Sequence, residues 1–148
     1  MKGQHRFLHV HNGITSFAHV EVLAAEGTGE GPAVVEDLPE HPRADEAEVN
    51  RRTAGSWVDA ACDGIHQAVA VAESRGIPLH GWQFRLTRLL GTPVDTRADA
   101  VRCAALLATL AALGPPATLP AGKVVFDGRW WSVHFPFAVA DAVQGTAK

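Results

Sequence analysis

The sequence predicts an α+β fold, a mainly antiparallel sheet with two helices on one face. Three observations carry this reading. Two tight-turn dipeptides, Asn12-Gly13 and Asp127-Gly128, each lie between apolar runs; residues 82–90 alternate; and two long segments carry apolar residues at helical spacing. Laying both helices on one sheet face is the simplest way to bury both apolar stripes.

The first element is a hairpin. Arg6-Phe7-Leu8-His9-Val10-His11 leads into Asn12-Gly13, and Phe17-Ala18-His19-Val20-Glu21-Val22-Leu23 leads away. Both turn residues tolerate positive φ, which a two-residue hairpin turn needs. In the second run Ala18, Val20 and Val22 share one face; Phe17, His19, Glu21 and Leu23 share the other. Gly27–Gly31 is a flexible turn, and Ala33–Leu38, closed by Pro39, is a short third strand.

From about Asp45 to Arg75, Val49, Trp57, Val58, Ala61, Ile65, Ala68, Val69 and Ala72 form one stripe at spacings of 3, 4 and 8. Gly55 interrupts or shortens this helix, and Gly76 with Pro78 stops it. Trp82, Phe84, Leu86 and Leu90 then mark the inward side of a half-buried strand ending at Gly91-Thr92-Pro93. Thr96-Arg97-Ala98-Asp99 fits a capping box. The alanine-rich helix after it runs to Ala112 and ends at Gly114-Pro115-Pro116. The order is thus ββ(β)–α–β–α–ββ, with a C-terminal hairpin over 118–139 in a single domain, 1–148.

Composition narrows the function. The 148 residues are 47% hydrophobic and 20% charged, as in an ordinary globular domain. No apolar run reaches the roughly 18 residues of a membrane span, and MKGQHRFLHVHN lacks a signal-peptide core. A cytoplasmic protein with no membrane partner is expected. The net charge is −3, which gives no support to a large phosphate-binding face. Residues 26–50 hold eight acids against one base, however, and residues 75–102 hold five arginines against two acids. A basic surface around Arg85, Arg88, Arg97 and Arg102, or an acidic contact face over 26–50, are both open.

Catalytic signatures are few. No phosphate-cradling loop is present, so no nucleotide is expected, and no cofactor. His9 and His11, two apart on a strand, project to one side, which suits either surface histidines of an edge strand or part of a metal site that needs further ligands. Cys62 and Cys103 sit on apolar helix sides, where thiols act as small hydrophobes. Of Trp130 and Trp131, one indole faces the core and the other is available for stacking or for covering a chain end.

The stretch RGIPLHGWQFRLTRLLGTPVDTRADAVRCAALLATLAA (residues 75–112) resembles the second half of domain IV of translation elongation factor G. Pro78-Leu79-x-Gly81 matches the strand entry, Leu86 the leucine near its end, Val94-Asp95-Thr96 the valine–aspartate–serine step, and Ala100–Ala112 the helix. Asn12-Gly13 followed by Phe17–Val22 resembles the same domain's turn and strand, and Val58-x-x-Ala61-x-x-Gly64-Ile65 its helix. The resemblance covers about residues 5–113. It implies a split β-α-β sandwich, ribosomal-protein-like, in which Asn12-Gly13 and Gly91-Thr92-Pro93 lie together at one tip. In the factor and in the similar ribosomal protection proteins that tip reaches the small subunit's decoding region. Thr92 stands where the family carries a histidine, and this chain has no GTPase. The resemblance therefore points to a non-enzymatic, stand-alone module contacting the small ribosomal subunit or another RNA through Asn12, Gly13, Arg88, Gly91, Thr92, Pro93 and Arg97. A protein partner or self-association is the alternative; a small metal-dependent enzyme using histidines, the second.

Overall fold

The computed structural model describes residues 1–27, 29–114 and 121–137. Asn12 and Gly13 take φ of 51° and 76°, the paired positive values of a type I′ turn. They join β1 (Lys2–His11) to β2 (Ile14–Glu26) in an unbroken antiparallel register from His11 opposite Ile14 to Lys2 opposite Leu23. β3 (Ala33–Glu36), α1 (Arg51–Ser74) and β4 (Trp82–Leu90) follow as one crossover, with β3 parallel to β4. The sheet order is β1-β2-β4-β3, and all other pairs are antiparallel. α2 (Ala98–Ala112) packs on β1, β2 and α1. A small second sheet, β5 (Lys123–Phe126) with β6 (Trp131–His134), lies against α2. Residues 118–120 and 138–139 of the expected C-terminal hairpin, and Pro115-Pro116, lie outside the described residues. No helix among those described is long and apolar enough to cross a membrane.

The fold class agrees with the sequence reading; three local features differ. First, α1 starts at Arg51, not near Asp45. Ala44–Glu46 form a single 3-10 turn, and Asn50 closes the helix start. Its side chain accepts the N–H groups of Arg52 (3.0 Å) and Thr53 (3.1 Å), while Thr53 Oγ1 accepts the Asn50 N–H (2.9 Å), a reciprocal cap. The interruption falls at Ala54 (φ −153°, ψ 61°), one residue before Gly55.

Second, β4 does not keep one inward parity. Val22 faces Leu86 but Glu21 faces Arg88, leaving Thr87 as an extra residue. Such a bulge switches the side on which later residues point. Leu89, not Leu90, is therefore buried beyond it. Third, Thr96 and Asp99 do not form a capping box: Arg97 caps α2 without a side-chain bond, because both groups are engaged elsewhere, as described below.

The core lies between the sheet and the two helices. Phe7, Val20, Val22, Phe84, Leu86 and Leu89 from the sheet meet Val58, Ile65, Val101 and Leu106 from the helices, all nearly inaccessible. Each of the larger ones contributes about 2 kcal/mol by leaving water. The buried alanines of α2 let it lie close to its neighbours. A Cβ on Gly3 of β1 would strike the Ala108 carbonyl, and one on Gly64 of α1 would strike the Arg102 carbonyl. Those two glycines set the depth at which α2 sits.

Among the described residues no α-helix covers the outer sheet face. Along it, residues 37–49 follow the free edge of β4 beyond β3: the Asp37 N–H donates to Leu86 O (2.9 Å), Val49 N–H to Leu89 O (3.0 Å) and Gly91 N–H to Ala47 O (3.0 Å). That course delivers the acidic segment to the arginines of β4. Arg85 pairs with Asp37, and Arg88 meets Glu48 at 2.8 Å, Glu46 at 3.3 Å and Glu21 at 3.6 Å. Lys2 (2.9 Å) and His19 (3.0 Å) complete the surroundings of Glu21. The two charge excesses read in the sequence thus meet in part within the chain, through Arg85 and Arg88 of the one and Asp37, Glu46 and Glu48 of the other.

This network and His5, on the inward side of β1, make stability depend on pH in two stages. The Glu48 carboxylate is held below its usual range chiefly by the Arg43 N–H, then by Arg88. For Glu21, burial raises the value, but bonds from Lys2 and His19 outweigh it and lower it. His5 is lowered, first by burial and then by His9 and His19. A group depressed in the folded state binds fewer protons there, so its stabilisation is present above the unfolded value and lost as pH falls through the folded one. Melting temperature is expected to fall first below about pH 6.5, from His5, and again below about pH 4.5, from Glu21 and Glu48. Thermal melts of the protein and of His5→Gln check this: the substitution is expected to remove the upper step only.

Candidate functional site

Three turns gather at one end of the sheet. The first is the exposed hairpin Asn12-Gly13. The second is the loop 91–97, fastened to β2 at Phe17: the Phe17 N–H donates to Asp95 O (2.8 Å), and Thr96 Oγ1 accepts the Thr92 N–H (2.8 Å) and donates to Phe17 O (2.8 Å). Phe17 lies four residues from Gly13, so the hairpin extends about 13 Å beyond that attachment. Both turns share an end, as the resemblance implies, but the hairpin overhangs the loop.

The third is the turn of the β5–β6 hairpin. Asp127 Oδ1 accepts the N–H groups of Arg129 (2.9 Å) and Trp130 (2.8 Å), and these bonds, Trp130's first, hold its carboxyl below the usual range. Asp99, at the start of α2, ties this hairpin down. Its carboxylate is almost fully buried and accepts the N–H groups of Trp131 (2.7 Å) and Ala100 (3.0 Å), with Arg97 Nε at 3.2 Å. Arg97 also donates to Arg129 O (2.7 Å), and Arg102 to Trp131 O (3.2 Å).

Between the first and third turns is a cleft of about 380 Å³, on the helix side of the sheet. Its lining includes His11, Asn12, Arg97, Phe126, Arg129 and Trp131. The rings touch: His11 lies 4.5 Å from Phe126, Phe126 4.8 Å from Trp131, and Trp131 5.2 Å edge-on to Phe7. The Trp131 indole N–H donates to Ser16 Oγ (3.1 Å), so this ring is the core-facing tryptophan and is fixed in place. Trp130 is half-buried, with Arg97 at 5.9 Å and Arg129 at 5.5 Å from its ring. Its face is shared with guanidinium groups.

The residues expected at the tip divide. Asn12, Gly13 and Pro93 are exposed there, and Arg97 lines the cleft. Gly91 is buried: a Cβ would meet the Trp57 ring at 2.7 Å and the Thr96 side chain at 3.0 Å, so its role is close approach. Thr92 is half-buried and its Oγ1 has no partner among the described residues. Arg88 is not brought to this end; it stands opposite Glu21 on the outer face, held by three carboxylates. The basic surface left open for Arg85, Arg88, Arg97 and Arg102 does not form: the first two pair with carboxylates of the 37–48 segment, and the others bond to the β5–β6 hairpin.

Sequence reasoning missed Arg6 and Arg129. Among the described residues neither guanidinium has a carboxylate partner; Arg6 lies over the Phe17 ring at 5.0 Å. The Asp127-Gly128 turn was the available signal for Arg129. Arg6 lines an open groove on the outer face with Leu8, Phe17, Glu46 and Asp95. Leu8, Val10, Ile14 and Val94 are the exposed large apolar residues of this end, Val94 at 92%.

The histidine pair is part of the aromatic cluster: His9 lies 4.4 Å from Phe7 and 5.1 Å from Trp131. Among the described residues no three metal-binding side chains converge. Burial pushes the Cys103 thiol up to about 12 and also raises that of Cys62, which leaves both weak nucleophiles at neutral pH.

No protein-family model matches this chain, and no curated protein matches it. Among solved structures it is similar to ttk003000868 from Thermus thermophilus, with 16% identity and a TM-score of 0.58. That similarity covers 74% of this chain and 15% of the other, so this chain spans a small part of that protein's length. At such identity the likeness is one of fold.

Proposed function

We propose that this domain is a non-enzymatic binding module of the elongation factor G domain IV type, which contacts the small ribosomal subunit or another RNA with the end of the sheet that carries the three turns. The observation that carries the reading is the placement of charge. Arg85 and Arg88 are neutralised by the chain's own acids, whereas Arg6 and Arg129, without carboxylate partners among the described residues, stand on opposite faces of the protruding hairpin. Guanidinium groups beside aromatic rings suit phosphate contact and base stacking together.

The test is co-sedimentation with isolated small subunits across a salt series. Two phosphate contacts predict a slope of about −1.4 in log affinity against log salt for single-stranded RNA. Arg6→Glu with Arg129→Glu is expected to weaken binding at least tenfold, and Arg75→Glu, at the far end of the 24-residue α1, to leave it unchanged. Equal loss from both variants, or no sedimentation at low salt, overturns the proposal.

A protein partner is the second reading, favoured by exposed Leu8, Val10, Ile14 and Val94 at the same end. Apolar contact of that kind is expected to persist at high salt, the reverse of the RNA behaviour.

A further inference from the structure

We propose that the cleft between the Asn12-Gly13 turn and the β5–β6 turn receives one unstacked nucleotide of an RNA strand, its base against Phe126 and His11 and its phosphate on Arg129. This rests on the RNA reading and adds to it the ligand unit and its seat. A volume near 380 Å³ is at the lower end of the range for small-molecule sites, enough for one nucleotide and short of two stacked ones.

The walls match the two halves of such a ligand. On one side the His11 and Phe126 rings lie 4.5 Å apart, backed by Trp131, whose indole nitrogen is already satisfied by Ser16. That side offers ring surface, the sequence-tolerant partner of a base. The Asn12 amide at the tip makes no side-chain hydrogen bond among the described residues, and it can donate to or accept from a base edge.

At the mouth, the Arg97 guanidinium is turned to Asp99 and the Arg129 carbonyl, so it shapes the opening. Among the described residues the Arg129 guanidinium makes no hydrogen bond or ion pair and lies over the Trp130 ring at 5.5 Å. Of the nearby carboxylates, Asp99 is buried against the Trp131 and Ala100 N–H groups; Asp127 feels the Arg129 charge but forms no ion pair with it, its Oδ1 accepting backbone N–H groups of its own turn. Charge at the mouth thus complements a phosphate, while the interior complements a flat apolar ring.

The experiment is a ¹H–¹⁵N NMR titration of the full chain with adenosine 5′-monophosphate, adenosine and inorganic phosphate in turn. The monophosphate is expected to shift the Trp131 indole N–H and the Gly128 and Arg129 amides, and to bind at least fivefold more tightly than adenosine. Arg129→Gln, at an exposed turn, is expected to erase that difference and leave adenosine binding as it was. Phosphate binding as tightly as the monophosphate removes the base seat and overturns the proposal. So do adenosine and the monophosphate binding equally, or shifts confined to other surfaces. The parent reading fails separately: a cleft that titrates without small-subunit binding keeps the seat and removes the ribosome, and subunit binding with a silent cleft does the reverse.

Discussion

Replacing Asp99 by alanine is expected to lower stability by about 3 kcal/mol, because four N–H groups, two of them on Arg97, lose a charged acceptor and the Trp131 and Ala100 amides are left buried. For a chain of this length that is a fall in melting temperature of roughly 10 °C. The loss is not spread evenly. Asp99 joins the N-terminus of α2 to the first residue of β6, so its removal frees the β5–β6 hairpin before the sheet and helices open. Trp131, now 6% exposed, is expected to become accessible, with red-shifted tryptophan emission and dye binding below the main transition. Asp99→Asn, which keeps an acceptor oxygen, is expected to cost about half as much. A melt in which Asp99→Ala stays within about 0.5 kcal/mol of the parent would show that the hairpin is held by ring packing alone.

The second large effect is at the helix crossing. Gly64→Ala adds a better helix former, worth about 1 kcal/mol in isolation. Here the new methyl would collide with the Arg102 carbonyl and lie 2.9 Å from the Ala105 Cβ. Neither neighbour is a flexible chain end, so the helices must separate, and a net loss of about 2 kcal/mol is expected. Gly64→Val is expected not to fold. Gly55→Ala in the same helix is the comparison: its Cβ meets nothing within 4 Å, so the same change should be neutral or stabilising. Denaturant unfolding of the two alanine variants gives opposite signs if contact with α2 is what requires glycine.

How far the sequence could be read depended on whether a feature is local. The Asn12-Gly13 turn, the face shared by Ala18, Val20 and Val22, and the stop at Gly76 each follow from neighbours in the chain, and each is where the sequence places it. The bulge at Thr87 is set by how β4 meets β2, so strict alternation misassigned Leu90. Thr96 and Asp99 had the residue types of a cap, but partners at Phe17 and Trp131, 79 and 32 positions away, claim both groups. The candidate site shows the same division. Asn12 and Gly13 were legible as a turn and Arg97 by resemblance, while the loss of Arg88 to Glu48 and the gain of Arg6 and Arg129 depend on tertiary placement of charge.

That placement also bears on how a partner arrives. Opposite charges lying side by side across the outer face form short dipoles, whose field decays within a few ångströms of the surface and does not reach out a Debye length. On the RNA reading, a polyanion approaching a chain of net charge −3 would therefore feel no long-range attraction before it touched the hairpin end. Its capture would proceed at the unsteered pace of roughly 10⁵–10⁶ M⁻¹s⁻¹, with selectivity resting on how long the tip holds what it meets.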